Sequence, residues 1–162
     1  MTLVRMNSEI MATKRALHLN ISESLFRLVT ESIRLFSNKH LRCSNISDVV
    51  NERAPTASSI RDHYRPKSLQ EHLRIIPTDG DLGLDITILE TSAEAIDGSI
   101  PDLEKLIGTS VSFASALSLI LFDFIVEENR TEVINKLGLN IGDAAAFREA
   151  AKRADTNVVP FR

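Results

Sequence analysis

Tryptophan is absent, tyrosine occurs once, and Cys43 is the only cysteine among 162 residues. One thiol excludes an internal disulfide and fits a reducing, cytoplasmic setting. It also removes the paired cysteines of zinc ribbons, and His18, His40, His63 and His72 lack metal-ligand spacing. No metal or cofactor is expected. Phosphate-cradling glycine loops and nucleophile elbows are missing. "DHY" at Asp62–Tyr64 reads as a solvated helix face rather than an acid–base pair, so no enzyme is expected. "DGD" at Asp79–Asp81 lacks the spaced oxygen ligands of a calcium loop and reads as a turn.

Long apolar runs are missing too. The longest, Ser110–Val126, is interrupted by Asp123 and four serines. It is too short and polar to span a bilayer, and a buried core helix explains it better. The first residues hold no apolar run of signal-peptide length. Residues 1–12 read as a mobile arm, with Met6 and Met11 as alternative starts.

What is present is an uneven distribution of charge. Residues 1–75 carry twelve Lys/Arg against seven Asp/Glu, whereas residues 76–162 carry seven against fifteen. Such asymmetry suggests an anionic partner for the basic half, or two solvated surfaces that simply differ.

The apolar pattern predicts a mainly α-helical chain with short β-strands. "KRALHLNIS" (Lys14–Ser22) alternates like a strand, with Leu17, Leu19 and Ile21 on one face and Ala16, His18 and Asn20 on the other. A lone strand cannot satisfy its backbone, so it must pair. Ser22 then caps a helix whose apolar stripe of Leu25, Leu28, Val29, Ser32 and Phe36 ends near Asn38. Ser47 and Asp48 open a second helix, which Pro55 breaks and which restarts at Pro55–Thr56. Residues 65–83 read as a connector with one helical turn at Leu69–Leu73.

A second alternating strand follows, with Leu84, Ile86 and Ile88 opposed by Asp85, Thr87 and Leu89. Gly98 and Pro101 are expected to confine the next helix to the residues from Pro101 onward. Helices are then expected over Thr109–Glu128, over Thr131–Leu137 with Gly138 closing it, and after a cap at Asp143. The resulting division is an arm (1–12), a first unit (13–64), a connector (65–83), a second unit (84–128), and C-terminal helices with a loose tail (129–162).

Strand, helix, turn and helix are thus predicted twice. Gly108, Ser110 and Ser112 match a Gly-x-Ser-x-Ser opening of a second helix, and Asn45 and Ser47 stand in its place in the first unit. In this order and spacing the chain resembles the ribbon-helix-helix DNA-binding family of the Arc, MetJ and CopG type. Two units in one chain resemble the conjugation protein TraY.

The resemblance implies that two strands pair into an antiparallel ribbon lying in the major groove of double-stranded DNA. Ala16, His18 and Asn20 would contact bases: Ala beside a thymine methyl, His toward guanine, Asn toward adenine. Lys14 and Arg15 would reach phosphates, and so would the helix start at Asn45, Ser47 and Asp48. On the second strand Asp85 would be repelled by DNA unless it met a cytosine amine.

The partner strand is either the second strand, giving a pseudo-dimer, or a copy of the first in a homodimer. The implied function is sequence-specific DNA binding by a transcriptional regulator or repressor, or by a relaxosome accessory factor of a plasmid or other mobile element. The alternative is an antitoxin or antagonist whose acidic residues 84–162 hold a basic protein. No membrane partner is expected.

Overall fold

The computed structural model describes residues 13–137, and side chains as far as Thr131. The expected arm, the Gly138 closure, the Asp143 helix and the tail lie outside the described residues. The fold is mainly helical with a two-stranded antiparallel sheet. Strand β1 (Lys14–Ile21) leads through Ser22 into α1 (Glu23–His40), and α2 (Ile46–Arg53) follows. A 3-10 turn over Ala54–Ser59, the short α3 (Ile60–His63) and α4 (Pro66–Ile75) carry the chain to β2 (Leu82–Leu89). Helices α5 (Glu90–Ile107) and α6 (Phe113–Leu137) complete it.

The partner of β1 is β2 of the same chain. Their register sets Arg15 opposite Ile88, Leu17 opposite Ile86, His18 opposite Asp85 and Asn20 opposite Gly83. Because side chains alternate across a strand, Leu17, Leu19, Ile21, Leu84, Ile86 and Ile88 face the helices together. One apolar cluster draws on both halves, from Leu25, Val29 and Phe36 of α1 to Ile96 and Leu103 of α5. At its centre runs α6, whose Ala116, Leu117, Leu119, Ile120, Leu121 and Phe124 are all buried. A helix apolar on every side is stable only when other elements surround it.

Ser22 caps α1 as expected, its hydroxyl accepting from the Leu25 amide at 3.0 Å. The connector crosses this cap: the Ser22 amide donates to Thr78 O at 3.0 Å, and the Ser22 hydroxyl donates to Pro77 O. Gly80 belongs to this crossing, since a Cβ there would collide with the backbone of Ile21 and Ser22. Asp79 forms an isolated bridge with Ile21, so "DGD" continues the ribbon edge rather than making a simple turn.

Four local expectations are corrected. Helix α5 starts at Glu90 and runs through Gly98 and Pro101. Proline at 101 removes one backbone bond, but Pro101 is exposed, and Ala93, Ile96, Leu103 and Ile107 on the opposite side are buried. That burial outweighs the roughly 3 kcal/mol cost of an interior proline. The connector holds a ten-residue helix, α4, because Pro66 sits at its first turn and Leu69 and His72 find the core. Helix α6 is continuous to Leu137, with no break before Thr131. Asn45, not Ser47, caps α2, through a box in which Asn45 Oδ1 accepts from the Asp48 amide and Asp48 Oδ2 accepts from the Asn45 amide, both at 3.0 Å.

A constant spacing recurs along the chain. Each strand has eight residues and each following helix eighteen. Sixty-seven positions separate Glu23 from Glu90, His40 from Ile107, Leu41 from Gly108 and Asn45 from Ser112. Leu41 and Gly108 both end their helices in the left-handed conformation, with φ of 54° and 85°. Asn45 and Ser112 both accept from an amide three residues on.

Candidate nucleic-acid interface

The ribbon turns one face to the core and the other to solvent. The outer face carries Lys14, Ala16, His18 and Asn20 from β1 and Gly83, Asp85 and Thr87 from β2, all exposed, with half-buried Leu89 at the end. The predicted base-contacting set, Ala16, His18 and Asn20, therefore stands together on the solvent side. Lys14 makes no ion pair among the described residues.

His18 and Asp85 are directly opposed and bonded. A carboxylate can only accept, so His18 Nδ1–H donates to Asp85 Oδ1, at 2.5 Å. This bond and the Asp85 charge hold the imidazole's pKa above its ordinary value, with a smaller push from Asn20. Gly83 makes room for the ring, because a Cβ there would lie 3.3 Å from His18 Cε1. The couple could not be found from the sequence, since neither residue signals its partner until the register is known.

Arg15 lies on the other face of β1. Its guanidinium grips both oxygens of Glu90 and donates to Asp97 Oδ2 at 2.6 Å, pinning the start of β1 to α5. The same pairing holds the Glu90 carboxyl below its usual range. The predicted phosphate site at α2 is also engaged internally. Asn45 and Asp48 close the capping box, which sets a carboxylate against the positive helix end. Ser47 is half-buried in the first turn.

Arg15 and His18 belong to a wider pattern. Lys39 meets Glu128 at 2.9 Å, Arg61 meets Asp102 at 2.7 Å, and Arg53 meets Asp123 at 2.9 Å and Glu127 at 3.0 Å. Each pair joins a base of the first half to an acid of the second. Seven carboxylates of the acidic half are thus answered inside the chain.

Within the Arg53 cluster, Arg53 and Asp123 are largely buried, whereas Glu127 reaches solvent. Asp123 also accepts from the Tyr64 hydroxyl at 2.7 Å, and the guanidinium lies over the Phe124 ring. Nearby, buried His72 Nε2 and Ser118 Oγ are 2.8 Å apart. This pair has nucleophile-and-base spacing, but Ser118 is fully buried, so no substrate reaches it.

Among the described residues no group of three His, Cys, Asp or Glu is placed to hold a metal ion, and no helix is long and apolar enough to cross a membrane. No family model matches the chain, and no curated protein or solved structure matches it.

Proposed function

We propose that this chain is a sequence-specific double-stranded DNA-binding protein of ribbon-helix-helix type, with both units in one polypeptide. It would serve as a transcriptional regulator or as an accessory factor of a mobile element. The observation that carries the reading is the β1–β2 ribbon, which turns a polar face to solvent on a strand–helix–helix succession repeated at constant spacing. A two-stranded ribbon fits the major groove, and its outward side chains can reach base edges.

In this reading Ala16, His18 and Asn20 contact bases and Lys14 contacts phosphate. Arg15, held by Glu90 and Asp97, orients the ribbon rather than touching the duplex. One chain supplies both strands, so one chain should suffice for one ribbon in one groove.

The test is selection of the full chain against a randomised duplex library at low salt, followed by binding measurements on the enriched sequence. A defined short motif is expected, with affinity falling as salt rises because phosphate neutralisation releases counterions. Asn20→Ala should relax preference at one position. Lys14→Ala should weaken all sequences alike and lower the salt slope by about 1. Absence of any enriched duplex at 50 mM salt would refute the proposal.

A further inference from the structure

The outer face of the ribbon is unsymmetrical at its centre. A histidine on one strand faces an aspartate on the other, where two identical strands would place two copies of one residue. Both side chains are more than half exposed although bonded to each other. When His18 is protonated, Nδ1–H goes to Asp85 and Nε2–H remains to donate, on the face that also carries Asn20. Asp85 keeps Oδ2, which makes no hydrogen bond among the described residues, as an acceptor. A hydrogen-bond donor and an acceptor are therefore fixed side by side, each on its own strand.

We infer that His18 and Asp85 together read a single G·C base pair near the middle of the recognised site, His18 donating to guanine and Asp85 accepting from the cytosine amine. The inference rests on the DNA-binding reading and goes beyond it by making Asp85 a specificity-determining residue.

The chemistry of the major-groove edge selects this pair. Guanine offers two adjacent acceptors, N7 and O6, which suit a cationic donor. The cytosine N4 amine has O6 on one side and only C5–H on the other, so a carboxylate approaching from the cytosine side meets no lone pair. An adenine amine is flanked by N7 and by thymine O4, both of which repel a carboxylate, and the thymine methyl adds bulk. The 2.5 Å bond lets each partner hold the other in place, so neither must be ordered when DNA arrives. It also screens the Asp85 charge, which alone would oppose the duplex.

The orientation follows as well. Strand β1 lies toward the guanine-bearing strand and β2 toward the cytosine-bearing strand. Since β2 presents Gly83, Asp85 and Thr87 where β1 presents Asn20, His18 and Ala16, the recognised site should lack two-fold symmetry at this position.

The experiment compares the full chain with Asp85→Asn and His18→Gln in the same duplex selection, with circular dichroism confirming that each variant folds. The wild type should enrich an invariant G·C pair within a non-palindromic motif. Replacing that pair by A·T should weaken binding about ten- to a hundredfold. Replacing it by inosine·cytosine, which keeps the major-groove edge, should leave affinity unchanged. Each variant should lose discrimination at this pair alone and keep the rest of the motif.

Three results would overturn the inference while leaving DNA binding intact: no fixed G·C pair, variants with the wild-type preference at every position, or an inosine penalty equal to that of A·T. Failure to enrich any duplex would overturn the DNA-binding reading and this inference together.

Discussion

Acidification from pH 7 toward pH 4 should destabilise the fold chiefly through one residue, His72. Its side chain is 6% exposed, lies against the Phe122 ring with centroids 4.4 Å apart, and shares its bond with Ser118. Burial disfavours the charged imidazole and lowers its pKa from 6.5 to about 4. Between these two values the unfolded chain binds a proton that the folded chain refuses, so stability must fall as pH falls. The contribution is fully present above pH 6.5 and is lost progressively on the way to pH 4.

The linkage relation gives a loss of about 2 kcal/mol at pH 5 and about 3 kcal/mol at pH 4. These are large fractions of an ordinary domain's stability. Other groups act differently. Glu31, Glu71 and Glu90 are held below their usual range by arginine partners, so their contributions are lost only below about pH 5. His18 has the opposite sign: its bond to Asp85 contributes below pH 6.5 and is lost as pH rises through its raised pKa.

Comparison of wild type with His72→Gln isolates the term. With no tryptophan and a single tyrosine, far-UV circular dichroism is the signal of choice for urea titrations from pH 7 to pH 5. The variant should lose about 2 kcal/mol less than the wild type over that range. Parallel pH profiles for the two proteins would refute the reasoning, as would a His72 titration by NMR at or above 6.5.

Two further predictions concern stability. Asp123→Ala leaves Arg53 buried and removes an acceptor from Tyr64, so it should cost roughly 3 kcal/mol, and the added change Arg53→Met should recover much of this by urea denaturation. Leu41 holds a left-handed conformation with its side chain 90% exposed, so Leu41→Gly removes strain without losing burial. It should stabilise the fold by at most about 1 kcal/mol, read as a rise of roughly 2–4 °C in Tm.

The sequence carried the strand Lys14–Ile21, its two faces and the Ser22 cap plainly, because alternation and capping are local properties. The choice between β2 and a second chain as its partner was not legible, since pairing is decided by how both strands bury their inner faces on shared helices. Pro101 misled for a similar reason. Its local penalty is visible in the sequence, while the burial of Ile96 and Leu103 that outweighs it is not. Pro66 was equally ambiguous: the residue that suggests a connector is also one that starts a helix well.

The candidate site was half legible. Ala16, His18 and Asn20 could be assigned to one outward face by counting, and they stand there. Arg15 could not be separated from Lys14 by charge alone, although alternation sends the two to opposite faces. The acidic second half suggested a basic partner elsewhere. Seven of its carboxylates, Asp85, Glu90, Asp97, Asp102, Asp123, Glu127 and Glu128, meet bases of the first half.

Those pairs bear on why the ribbon is made within one chain. A strand tethered to its partner competes at a high effective concentration, which a free second copy must match by mass action. Exposed pairs such as Arg61–Asp102 add little each, but the partly buried grip of Arg15 on Glu90 and the buried Arg53–Asp123 bond form only when the two halves lie together. A ribbon of two β1 strands would leave the backbone edge of β2 that now pairs with β1 without its partner. The unequal charge of the halves thus acts as a pairing rule: opposite signs favour β1 with β2 over β1 with β1. The same rule makes the outer face unsymmetrical, setting a basic, polar strand beside an acidic one, so intramolecular pairing and the unsymmetrical outer face have one physical cause.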